Sequence, residues 1–207
     1  MLESIERSCY YLIMKSSNTK IQILDTALEI ARNIGLESLS IGELAKTVGM
    51  SKSGLFAHFK SKETLQVMLL DHAADSFTKQ VVMPAITLPR GLERLNALID
   101  NWLNWSFKGQ PGSCPLVAAA IEFDDRPGLV KDRVKLHLSQ LHNSLERACR
   151  IAVEEDHLKK TADTHLMAQE IFSFILAYHL YSKTLNDDLA EKRFYKSISD
   201  LVARNKL

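Results

Sequence analysis

The chain has 207 residues, 46% of them hydrophobic and 25% charged, which fits a folded protein with a sizeable core and excludes a disordered one. Its 26 basic and 25 acidic residues leave a formal net charge of +1, so a uniformly basic chain is excluded and any polyanion-binding surface must be local. No apolar run approaches the roughly 18 residues that span a bilayer, and Cys9, Cys114 and Cys149 are too scattered for a disulfide framework, which favours reduced, cytoplasmic thiols.

Five prolines, eight glycines and few alternating apolar stretches favour an all-α chain. At the front, Cys9 to Met14 is too short for a signal-peptide core. Met14-Lys15-Ser16-Ser17 reads as a natural start, so residues 1–18 are either a real arm or the product of a start placed too far upstream. Ile21, Leu24, Ala27, Leu28, Ala31 and Ile34 then mark a helix over Thr19–Ile34 that Gly35 ends. Leu36 and Leu39 plug the gap behind it.

From Ser40 to Leu65 helix punctuation is dense. Ser40 and Glu43 form a capping box ahead of Ile41, Leu44, Ala45 and Val48, and Gly49 stops that helix. Ser51 caps a second helix carrying Leu55, Phe56 and Phe59, and Ser61 a third. Two short helices joined by a glycine turn describe a helix-turn-helix. Its second helix opens with Lys52, Ser53 and Gly54, where recognition helices face base edges. Lys46, Lys52, Lys60 and Lys62 against Glu43 and Glu63 give a local excess of about +2 for phosphate contact.

The third helix is expected from Lys62 to about Val82, roughly 30 Å long at 1.5 Å per residue. Pro84 and Pro89 bracket the connection after it. That divides the chain into an arm (1–18), a helix-turn-helix domain (19–82) and a second domain (83–207). In the second, Leu92 to Trp105 forms one helix, broken at Gly109-Gln110-Pro111-Gly112. Leu116–Phe123 forms a short one and Val130–Ala152 a long amphipathic one. From about Asp163 to Leu185 apolar residues surround the axis, which requires burial on more than one side. A second copy of the chain is the simplest cover. Ala190–Val202 completes that surface.

The run Ser40-x3-Leu44-Ala45-x3-Gly49-Met50-Ser51-x2-Gly54-Leu55-Phe56-x-His58-Phe59-x2-Lys62-x2-Leu65 resembles the DNA-binding signature of the TetR/AcrR regulators. The resemblance implies an all-α protein: an N-terminal three-helix helix-turn-helix domain followed by a C-terminal helical ligand-binding and dimerisation domain. It implies a repressor that binds a palindromic site on double-stranded DNA as a homodimer through its last two long helices and answers to a small-molecule effector. The implied DNA-contacting residues are Ser40, Ser51, Lys52, Ser53, Gly54, Phe56, His58, Lys60 and Lys62. Phe56 stands where the family usually has tyrosine, which removes one hydroxyl available to a phosphate. An architectural or cell-division factor of the same fold is the alternative, a helical enzyme or carrier a more distant one.

Trp102, Trp105, Phe123, His137, Phe172 and Tyr178 offer aromatic faces with a few polar tips, which suits an effector pocket. They suit a packed core equally well. Cys114, beside Pro115 at a helix start, reads as a small semi-buried residue, with a reactive thiol as the alternative. The histidines lack tight metal-ligand spacing such as His-x3-His, so no metal site is expected. No cofactor loop or nucleophile–base pair stands out, so no enzyme is expected.

Overall fold

The computed structural model describes residues 19–107 and 113–207. The arm, with the question of Met14, and the break at residues 109–112 lie outside them. Helix α1 covers 19–34. It is followed by α2 (Ile41–Thr47), α3 (Lys52–Phe59) and α4 (Lys62–Phe77), and Thr78–Val82 continues α4 as a π-helical turn into α5 (Met83–Ile86). The rear half comprises α6 (Leu92–Phe107), α7 (Pro115–Glu122), α8 (Leu129–Glu154), α9 (Thr164–His179) and α10 (Ala190–Asn205), with a second π turn, Leu180–Thr184, prolonging α9. Among the described residues there is no strand, only an isolated bridge between Leu158 and Lys206. No helix among them is long and apolar enough to cross a membrane.

The front helices begin where serine hydroxyls replace missing intrahelical acceptors. Ser40, Ser51 and Ser61 accept from the amides of Glu43, Gly54 and Thr64 at 3.0–3.1 Å. Ile23, Leu24, Ala27, Leu28 and Ala31 of α1 pack with Leu44, Leu55, Phe59 and Leu65, and Leu36 and Leu39 are buried between them. That front core runs without a break into the rear one, through Phe77, Trp102 and Leu145 to Leu201.

Helical structure extends past the expected end at Val82, because Pro84 sits inside a helix, in the first turn of α5. A proline ring clashes with the carbonyl one turn back and donates nothing. The wider π turn just before it, closed by Met83 N donating to Thr78 O, gives that ring room. Asn101 Nδ2 on α6 donates to the Val81 carbonyl at 3.1 Å, so the irregular turn is tied to the rear half. The connection to α6 therefore covers residues 87–91.

Helix α6 takes its N-terminal acceptor from elsewhere: His157 Nδ1 accepts from Leu92 N at 3.1 Å. Gly91 makes this possible, with a φ of 96° and a position where a Cβ would fall 2.0 Å from the His157 ring.

Candidate nucleic-acid interface

Helix α3 turns its apolar residues, Leu55 and Phe59, into the core. Ser51, Lys52, Ser53, Phe56 and Lys60 are exposed, while Gly54 and His58 are half-buried. Phe56 is 51% exposed, so its ring is spent on solvent and not on packing. Helix α2 lies against α3 through Gly42, where an added Cβ would stand 3.0 Å from Lys52 Cε. The stem of Lys52 thus crosses α2 with no side chain in its way. Gly42 carries no motif signal beyond being a glycine, and sequence reasoning passed over it. Ser51 and Ser53 share a 3.1 Å hydrogen bond at the helix start. Ser40 is exposed and occupied as the α2 cap.

Lys62 differs from the other expected contacts. Its ammonium donates to the Glu37 carbonyl and lies 3.6 Å from the Glu37 carboxylate. The same carboxylate receives Gln66 Nε2 at 3.2 Å and pairs with Arg126 at 3.0 Å. Burial works against the Glu37 charge, but the Gln66 hydrogen bond and the charges of Lys62 and Arg126 outweigh it, and the carboxyl titrates below its ordinary value. Lys62 therefore braces the turn between α1 and α2.

That turn is where the rear half takes hold of the front. Glu122, the last residue of α7, accepts the amides of Leu36 and Glu37 at 3.2 and 2.7 Å. Gly35 adopts a φ of 87°, and a Cβ there would meet Glu122 Oε1 at 2.6 Å. A little deeper, Arg32 of α1 is 4% exposed. Its guanidinium stacks 4.5 Å from the Trp105 ring and donates to the carbonyls of Trp105 and Ser113 at 3.3 and 3.2 Å. Farther along, Asp71 of α4 accepts from Arg133 at 2.7 Å and meets His137 Nε2 at 2.8 Å, both from α8. These polar contacts couple the helix-turn-helix to α6, α7 and α8.

The aromatic residues singled out for a pocket are distributed over the rear half. Trp102 and Trp105 pack edge-on against Phe77 at 5.0 and 5.4 Å, and Phe172 lies 6.0 Å from Trp102. Phe123 is buried under Arg126. His137 borders a cavity of about 70 Å³ among α4, α7 and α8, together with Phe77, Val82 and Leu116. Tyr178 borders an open groove of about 230 Å³ between α9 and α10. Trp102 Nε1 and Ser106 Oγ, four residues apart on α6, are buried without a hydrogen-bond partner among the described residues. Ser106 gave no signal in the sequence. Cys114 is fully enclosed at the start of α7. Burial, then the charge of Glu146, pushes the Cys149 thiol up to about 12.

An exposed, serine-capped recognition helix held on a three-helix head defines the helix-turn-helix class of DNA-binding proteins. Residues 23–66 match the family described as bacterial regulatory proteins, tetR family, and residues 91–198 match the tetracyclin repressor-like C-terminal domain. The chain belongs to the TetR family and is a DNA-binding transcriptional regulator. It is 23% identical over 162 residues to the nucleoid occlusion factor SlmA of Salmonella paratyphi B, covering 76% of this chain and 79% of that one. A TetR transcriptional regulator from Chloroflexus aurantiacus superposes with a TM-score of 0.83 at 18% identity, over 93% of this chain and 98% of that one. AibR, solved with isovaleryl coenzyme A and operator DNA, superposes at 0.65 with 22% identity, over 88% and 96%.

Proposed function

We propose that this regulator is a ligand-responsive repressor that binds a palindromic operator as a homodimer. The observation that carries the reading is the outward face of α3, where Lys52 and Phe56 stand clear of the core beside Ser53 and Gly54. Lys52, Ser53 and Gly54 face base edges. Ser40, Ser51, Phe56, His58 and Lys60 lie along the phosphates, and Lys62 joins them only by leaving Glu37. The head spans 19–82 and the effector and dimer body 83–207. Leu180, Tyr181 and Leu185 are exposed at the end of α9, and pairing of α9 and α10 with a second copy covers them. Two heads then meet half-sites about 34–36 Å or a multiple apart.

The effector is an apolar or amphipathic molecule. A cavity of about 70 Å³ is smaller than the roughly 300–1,000 Å³ that ligand pockets occupy, so binding parts α4, α7 and α8. Trp102 Nε1 and Ser106 Oγ supply unpaired polar groups nearby, on an α6 packed against Phe77. An effector lowers operator affinity by favouring a different head spacing, and a coupling of about 1–3 kcal/mol changes it some 5–150-fold. The isovaleryl coenzyme A and operator complex of AibR supports both halves of this reading. The likeness to a nucleoid occlusion factor supports a second one, a DNA-binding factor that occupies many scattered sites and ignores small ligands.

Genome-wide mapping of bound sites separates the two: a few palindromes beside a gene cluster support the repressor, dispersed sites the second reading. On an operator so found, K52A should weaken binding and reduce the salt slope by about one unit. An unchanged slope removes Lys52 from the contact.

A further inference from the structure

Along the sequence the histidines are separate, and no two have ligand spacing within one helix. Folding brings two of them together with a carboxylate. His142 and Glu146 lie four residues apart on α8, a separation that places both on one helix face. His165 comes from the first turn of α9, whose start is set by Asp163 capping Leu166 N at 2.9 Å. His165 Nδ1 stands 3.0 Å from Glu146 Oε2, and the His142 and His165 rings are 4.7 Å apart. One donor atom from each of the three lies within 4.8 Å of the others.

We infer that His142, Glu146 and His165 form a site for a divalent transition-metal ion, zinc above all. Two imidazoles and one carboxylate favour zinc over magnesium or calcium, which prefer all-oxygen shells. Tetrahedral zinc with bonds of about 2.0–2.1 Å places its donors about 3.4 Å apart. The Glu146–His165 pair, at 3.0 Å, lies close to that spacing, and rotation of the His165 side chain, which is 67% exposed, closes the rest of the gap to His142. His142 and Glu146 are half-buried on a helix, so two of the three ligands are held in advance. The fourth position faces solvent on the His165 side and takes a water. The ion clips the start of α9 to the middle of α8, two turns beyond the Arg133–Asp71 and His137–Asp71 contacts that grip α4. This site is separate from the proposed DNA and effector surfaces and stands or falls independently of them.

The test is a titration of tag-free, full-length protein with Co²⁺ as a spectroscopic probe and Zn²⁺ as competitor. The expected result is one Co²⁺ per chain with tetrahedral d–d absorption, displaced by Zn²⁺ and lacking the thiolate charge-transfer band of a cysteine ligand. H165A, exposed and remote from the core, should fold normally and weaken binding by about tenfold or more, since one of three protein ligands is gone. H142A should do the same, and zinc should raise the melting temperature of the natural protein but not of H165A. Failure to bind Co²⁺ at about millimolar concentration, a thiolate band, or affinity unchanged from the natural protein in H142A or H165A overturns the assignment and leaves a surface ion pair beside two stacked rings.

Discussion

Gly42 and Gly35 show how one missing side chain serves two different ends. At Gly42 the backbone is helical and the space is taken by the stem of Lys52. Alanine there raises helix propensity by roughly 1 kcal/mol while displacing a flexible lysine by a few tenths of an ångström. G42A should therefore melt higher and bind operator DNA less tightly, in thermal unfolding and gel-shift titration of the same preparation. At Gly35 both the φ of 87° and the nearness of Glu122 forbid a Cβ. G35A should lose stability by more than about 1 kcal/mol, seen as a lower urea midpoint.

At the scale of elements, α7 matters more than its eight residues suggest. Glu122 at its end satisfies two backbone amides of the α1–α2 turn, and Arg126 just beyond holds Glu37. E122A leaves those amides without their charged acceptor and should cost about 1.5–3 kcal/mol in urea unfolding. R126A, at the surface, should cost less than about 1 kcal/mol. If this contact transmits the effector signal, R126A should also reduce the change in operator affinity on inducer addition. The helices were legible in the sequence because their apolar spacing and serine caps are local signals: Ser40, Ser51 and Ser61 each cap the helix they announce. The contacts between elements were not. Glu122 meets residues 85 and 86 positions away, His165 meets Glu146 across a helix junction, and no spacing rule reports such meetings. Helical structure runs on to Ile86, past the end expected at Val82, for a related reason, since Pro84 falls in the first turn of α5, where its missing N–H is tolerated.

For the whole molecule, His179 and Glu37 both contribute to the response to acid. His179 is held below the ordinary imidazole range by burial and then by Lys183. Its folded state prefers the neutral ring, so the stability it contributes is complete above the ordinary imidazole range and is lost as pH falls toward the depressed value. Glu37, also depressed, contributes fully above the ordinary carboxylate range and is lost as pH falls through its own lower value. The urea midpoint should therefore drop in two stages on acidification, and E37Q should flatten the second while leaving the first.

The π turn at Thr78–Val82 has a consequence for rotational phase. It carries one residue more than an α-helical path needs, and each residue of a helix advances its facing by about 100°. Straightening that turn into regular α-helix at unchanged length would turn the head by about that angle around the axis of α4, against a rear half anchored at Val81 by Asn101. A chain so straightened should keep its helical circular dichroism yet lose its grip on the operator, because a correctly built reading head would be aimed at the wrong side of the duplex.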